Sequence, residues 1–277
     1  MFLAMTQLPF KFRRASRAYV NALTSDERAR YARHIMLKEI GGPGQLKLRG
    51  ACIALVGAGG LGAPAALYLA AAGVGRLRII DDDTVALSNL QRQVLFRTED
   101  IGLPKTERAA ATLASLNPHI VLEAQRTRLT ADNAPALLDS ADIVLDGTDD
   151  FTTRYIVNAA CHTLGITLIS GAVGRWEGQL ATFKSGQTKA MAPTERLPCY
   201  RCLVPEAPPD AETCERVGIV GALPGVIGAM MALEAVKELT GSGKSLAGRL
   251  LIYNSLSAEA RTIVLRRDPA CVECGDV

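Results

Sequence analysis

Short apolar runs rich in β-branched residues recur along the first two thirds of the chain, each followed by a longer segment of helical character. Residues 52–56, 77–80, 120–124, 141–146 and 166–170 read as strands, those over 52–56 and 141–146 as buried ones. Between them, residues 63–72, 106–116, 132–138 and 152–164 read as helices. A helix is predicted upstream over residues 24–37, because Thr24-Ser-Asp-Glu27 has the form of a capping box. Gly41-Gly-Pro-Gly44 is expected to break the chain before the first strand. This alternation predicts an α/β fold: a Rossmann-like, mostly parallel sheet with helices on both faces. The pattern then changes. Residues 178–183, 249–254 and 259–266 read as antiparallel strands, and residues 221–239 form a long helix of small side chains suited to burial. The expected organisation is an extension over residues 1–23 and a single unit over 24–277. Its nucleotide half spans about 50–170 and its second half about 171–277.

Composition narrows the function classes. The 277 residues suffice for a sizeable core. The formal net charge of +3 is too mild to imply a nucleic-acid or membrane partner. No apolar run reaches the length of a membrane span. The apolar start precedes its basic residues Lys11, Arg13 and Arg14, the reverse of a secretory signal, so a cytoplasmic location is expected.

The most informative stretch is Val56-Gly-Ala-Gly-Gly-Leu-Gly62, in which Gly57, Gly59 and Gly62 form G-x-G-x-x-G between a predicted strand and helix. Glycines at that spacing allow a tight turn and close approach of backbone to phosphate, at a helix end with free N–H groups. Asp81 ends the next strand, where such folds hold a ribose. Asn89, Gln91, Arg92 and Gln93 cluster just past it, and Lys105 opens a helix behind a proline. Asp146, Asp149 and Asp150 gather at the end of a later strand. They would either cap the following helix or hold a magnesium ion beside phosphates.

Seven cysteines include two Cys-x-x-Cys pairs, Cys199/Cys202 and Cys271/Cys274. Four thiolates satisfy a tetrahedral zinc, and neither pair opens a helix after a strand as a redox pair would. Cys52 and Cys161 sit in apolar context and read as core. Cys214 sits in a polar segment and reads as either a reactive thiol or an incidental loop cysteine.

Taken in order, the glycine loop, Ser88-Asn-Leu-Gln-Arg-Gln93, Gly102-Leu-Pro-Lys105, Asn117-Pro118, Asp146-Gly-Thr-Asp149 and the two cysteine pairs resemble the MoeB/ThiF/HesA family of ubiquitin-activating-like adenylyltransferases, over roughly residues 26–274. Ser170-Gly-Ala-Val-Gly-Arg-Trp-Glu-Gly-Gln179 is especially similar to its MoeB branch. The resemblance implies ATP-dependent adenylation of the C-terminal glycine of a small ubiquitin-like sulfur carrier ending in Gly-Gly. That carrier would be MoaD-like for molybdopterin synthesis or ThiS-like for thiazole synthesis. It implies that Gly60 belongs to the nucleotide loop with Gly57, Gly59 and Gly62, that Asp81 holds the ribose with Asp83 and Ser88 also at the nucleotide, and that Asn89, Arg92 and Lys105 grip and polarise the phosphates. Asp149 resembles a magnesium-binding catalytic aspartate. Arg33, on an otherwise solvated basic face, resembles an arginine that reaches into a partner's site, which implies a homodimer. Cys214 resembles a cysteine that can take the activated carrier. A separate sulfur donor is expected, since no sulfurtransferase domain follows Cys274. Asp150 departs from the asparagine common in the family. Two other classes compete. An NAD-dependent oxidoreductase would use the same glycines but lacks an evident catalytic set among three histidines. A non-catalytic scaffold would have lost Arg92, Lys105 or Asp149.

Overall fold

The structure, a computed structural model, describes residues 22–208 and 218–276. Cys214 and most of the expected extension lie outside these residues. In chain order, α1 (Ser25–Arg30), α2 (Ala32–Ile35) and α3 (Gly41–Gly50) lead into β1 (Cys52–Val56), α4 (Gly62–Ala71) and β2 (Arg76–Ile80). Then come α5 (Lys105–Leu116), β3 (Val121–Gln125), α6 (Ala134–Leu138), β4 (Ile143–Asp146), α7 (Phe151–Leu164) and β5 (Thr167–Gly174). The rest comprises β6 (Glu177–Phe183), α8 (Ser185–Thr188), α9 (Tyr200–Leu203), α10 (Ala222–Thr240), β7 (Arg249–Asn254) and β8 (Glu259–Val264).

The capping box forms: Thr24 Oγ1 accepts from the Glu27 amide and the Glu27 carboxylate accepts from the Thr24 amide. The single helix expected over 24–37 is nevertheless broken at Tyr31, whose backbone leaves helical values. The buried Tyr31 ring reaches the Gly73 turn, and its hydroxyl accepts from Asn117 Nδ2 at 2.8 Å, so tertiary contact overrides the local preference. The break expected at Gly41–Gly44 is also corrected, because these residues form the first turn of α3. Pro43 falls there, where its missing N–H removes no helix bond.

One eight-stranded sheet has the order β3-β2-β1-β4-β5-β6-β7-β8. Pairings from β3 to β5 are parallel and those from β5 to β8 antiparallel. Side chains alternate between two cores. Ile53 and Leu55 face α4 and α10, while Ala54 and Val56 face α6 and α7. Burying each such large aliphatic side chain stabilises the fold by about 1.5–3 kcal/mol. The direction in which successive strands are added reverses between β1 and β4, and register places Ile80, Val56, Asp146 and Ser170 in one row across the strand ends. That reversal is where open α/β sheets leave a crevice.

Helix α10 lies across the sheet against α4, and small residues set how closely. A Cβ on Gly228 would stand 2.4 Å from the Leu61 carbonyl oxygen, and one on Gly171 2.6 Å from Met231 Sδ. The small-residue pattern of α10 thus serves burial within the chain. No helix among the described residues is long and apolar enough to cross a membrane.

Candidate active site and cysteine centre

A cleft of about 1140 Å³ opens at the reversal point. Its floor is the glycine loop. Gly57 has φ +87°, a conformation that favours glycine. A Cβ on Gly62 would stand 2.0 Å from the Gly57 carbonyl oxygen, so Gly62 packs beneath the loop and does not line the cleft. Gly57, Gly59 and Gly60 do line it.

On the β2 side, Asp81 accepts from the amides of Ala58 and Asp83, both at 2.8 Å. Burial raises its pKa above the usual carboxylate value; Lys105 and the two amides offset part of that rise. Lys105 is 5% exposed, yet its ammonium reaches Asp83 Oδ2 at 2.8 Å, and that carboxylate is 68% exposed. The turn after β2 brings Ser88, Asn89, Arg92 and Gln93 to the wall. Asn89 is buried and accepts from the Ala86 amide, while Arg92 Nη1 donates to the Ser88 carbonyl at 2.9 Å. Gln93 is buried with no partner for Oε1 among the described residues.

On the β4 side the three carboxylates separate, and the helix-capping alternative holds for Asp150. Asp146 is 1% exposed; its Oδ1 accepts from the Thr148 amide and hydroxyl, and its Oδ2 from Ser170 Oγ. Asp150 caps α7, accepting from the Thr153 amide at 2.8 Å. Asp149 stands exposed in the cleft between them. One carboxylate suits a magnesium ion that arrives on a polyphosphate, because such ions keep few protein ligands.

Sequence reasoning missed Arg154. It is 6% exposed, pairs with Asp146 at 3.6 Å and lies 5.9 Å from the centre of the Tyr200 ring. Burial opposes its charge, but the Asp146 carboxylate and Tyr200 outweigh that, and its pKa sits above the ordinary value. The available signal was a charged residue on the stripe Thr153, Arg154, Val157, Asn158, Cys161, which is otherwise the buried face of α7. The far end of the cleft, lined by Arg175, Trp176, Asn254 and Leu256, was also missed. The turn after β5 places Arg175 and Trp176 there, and the end of β7 with its following turn places Asn254 and Leu256; Arg175 takes a left-handed backbone with φ 41°.

Arg33 does not reach this cleft. It is exposed on α2 with its guanidinium 3.8 Å from Met36 Sδ. Burial raises the thiol pKa of both Cys52 and Cys161, in keeping with inert core positions.

The two Cys-x-x-Cys pairs converge. Cys199 caps α9 and Cys202 lies within it, while Cys271 and Cys274 come from the tail. All four sulfur atoms lie within 4.8 Å of one another, with Cys199–Cys271 at 3.6 Å and Cys202–Cys274 at 3.4 Å. A tetrahedral zinc with Zn–S near 2.3 Å would set its ligands about 3.8 Å apart, so the four thiols fit such an ion. Asp276, just beyond, is held by Arg267 at 2.6 Å and Arg196 at 2.7 Å. These contacts tie the tail to the body of the protein independently of any ion.

The fold has counterparts among solved structures. Escherichia coli MccB, in a structure with MccA-N7isoASN, superposes with a TM-score of 0.77 at 23% identity, over 89% of this chain and 75% of that one. Relatives in sequence are nearer. The chain is 46% identical over 255 residues to a sulfur carrier protein adenylyltransferase of Thermus thermophilus, covering 91% of this chain and 93% of that protein. It is 42% identical over 257 residues to the SAMP-activating enzyme E1 of Haloferax volcanii, covering 92% of each. The ThiF family model matches residues 31–273, nearly the whole described chain, and the protein therefore belongs to the ThiF family.

Proposed function

We propose that the protein adenylates the C-terminal glycine of a small ubiquitin-like sulfur-carrier protein, using ATP and magnesium. The single observation that carries this is the pair of cations, Arg92 and buried Lys105, beside the glycine loop in a cleft that also holds Asp149. In the reaction a carboxylate oxygen of the carrier attacks the α-phosphorus. The bond from that phosphorus to the bridging oxygen breaks, and pyrophosphate leaves with the electron pair. Charge grows on crowded phosphate oxygens, and fixed cations stabilise it. Lys105 is available for this task because its present partner, Asp83, is exposed, and a solvent-screened pair is weak. Asp81 suits the ribose hydroxyls, with Asp83, Ser88 and Asn89 beside the nucleotide. Asp149 would hold a magnesium ion brought with the nucleotide, which would supply charge neutralisation at the phosphates. The far end of the cleft suits the extended Gly-Gly tail of the carrier.

Relatives named for sulfur-carrier activation support this reading. Molybdopterin synthesis is the favoured pathway because of the MoeB-like segments, with thiazole synthesis the alternative. A homodimer would bring Arg33 of one subunit to the cleft of the other, and a separate protein would donate the sulfur. Zinc at Cys199, Cys202, Cys271 and Cys274 would be structural. Cys214 would act after adenylation, if at all.

Pyrophosphate exchange into ATP tests the reading. Exchange should appear only with the cognate carrier, and calorimetry should detect ATP binding and little NAD binding. Preference for NAD would overturn the assignment and restore the oxidoreductase class. Metal analysis of fresh protein should give close to one zinc per chain.

A further inference from the structure

We infer that Arg154 is the positioning residue that fixes the loop carrying Asp149, and that it acts on adenylation through Asp149. This rests on the proposed adenylation but is argued from a different set of contacts. Arg154 Nη2 donates to the carbonyls of Thr148 and Gly171, the latter at 2.8 Å. Its Nη1 donates to Ser170 Oγ at 3.2 Å and lies 3.6 Å from Asp146 Oδ2. One planar guanidinium thus joins the loop after β4 to the body of β5.

The neighbours of Asp149 are held on both sides. Thr148 is tied through its amide, its hydroxyl and its carbonyl, the first two to Asp146 at 3.0 and 2.7 Å. Asp150 is tied to the first turn of α7 through the Thr153 amide. Between them the Asp149 backbone has little freedom, while its side chain stands exposed in the cleft. A ligand to a mobile phosphate-borne ion needs that combination of a fixed stem and a free carboxylate. Arg154 also lines the cleft, but both its terminal nitrogens already face protein acceptors, which leaves them unavailable to a phosphate. Lysine in its place would keep a charge for Asp146 yet could not span both carbonyls, because an ammonium is a single point and not a fork.

The test is a double-mutant cycle of Arg154→Lys with Asp149→Asn, read by carrier-dependent pyrophosphate exchange, together with amide exchange at Thr148. Arg154→Lys should lower kcat by about tenfold to a hundredfold, the scale of an ångström-sized misplacement, and leave the KM for ATP within about twofold. In the Asp149→Asn background the same substitution should add less than about twofold, because its route is already lost. Exchange of the Thr148 amide should quicken about tenfold as the loop loosens. Equal losses in both backgrounds, or a Thr148 amide as protected as in the wild type, would overturn the inference. Should Arg154→Lys fail to fold, Ser170→Ala removes only the hydroxyl between Arg154 and Asp146, and the same cycle applies with a smaller loss. A wild-type protein that never adenylates a carrier would sink the functional reading, and amide exchange would still decide whether Arg154 holds the loop.

Discussion

Two acidic strand ends flank β1, and they use the same chemistry in opposite ways. Ile80 and Asp146 both stand in register with Val56, so the carboxylates after β2 and those at the end of β4 border the cleft from either side. Each side holds a buried cation. Lys105 meets an exposed carboxylate, Asp83, whereas Arg154 meets Asp146, which is 1% exposed. A pair with one exposed partner is weak and can be given up to a ligand. A pair with both partners buried is a fixture, since removing one leaves an uncompensated charge. One side of the cleft is therefore built to exchange partners and the other to hold still.

The contrast can be broken most forcefully at Arg154. Arg154→Met strands the Asp146 carboxylate and should destabilise the protein by about 3–5 kcal/mol, visible as a large fall in the urea midpoint. A fall below about 1 kcal/mol would mean that both sides are equally adaptable. Next comes Lys105→Ala, which should lower pyrophosphate exchange by about a hundredfold, near 2.7 kcal/mol, while the melting temperature barely changes. Parallel loss of stability would place Lys105 among the fixtures. Asp150→Ala removes a helix cap and should cost about 1 kcal/mol in a thermal melt, whereas Asp150→Asn, which restores the residue common in the family, should be nearly neutral. The smallest effect concerns pH. Burial raises the pKa of Asp81, so the folded chain holds that proton more tightly than the unfolded one. Its contribution to stability is full below the ordinary carboxylate value near 3.8 and fades as pH rises through the raised folded value. Asp81→Asn should remove that slope from the urea midpoint measured between pH 4 and 6. An unchanged slope would show that the β2 side carries no such tension before a ligand arrives.

What the sequence disclosed followed from locality. The glycine loop is legible because its constraint acts within six residues: Gly62 must clear the Gly57 carbonyl. The cysteine pairs are legible because a thiol has few other uses at that spacing in such a chain. The stripe of α7 marked Arg154 as unusual, but its role was illegible because its partners come from Asp146, Thr148, Ser170, Gly171 and Tyr200, and only the tertiary fold collects them. The break at Tyr31 escaped for the same reason, since Asn117 and Gly73 decide it. Strand β5 runs to Gly174, past the predicted end at 170, because pairing with β6 sustains a stretch whose own glycines argue against a strand. At Gly41–Gly44 the signal was present and misread, as a proline in the first turn of a helix is permissive.

The seat of α10 on the glycine loop bears on how the protein is made. Pro224 closes over Gly60, and Gly228 rests on the Leu61 carbonyl, yet both emerge from the ribosome long after the loop they cover. During synthesis the first strands and α4 must wait, with Leu61, Ala65 and Leu69 uncovered, until α10 is released. A premature stop anywhere before residue 222 would therefore leave the nucleotide loop encoded in full and still unable to settle, with an apolar face open to chaperones or to aggregation.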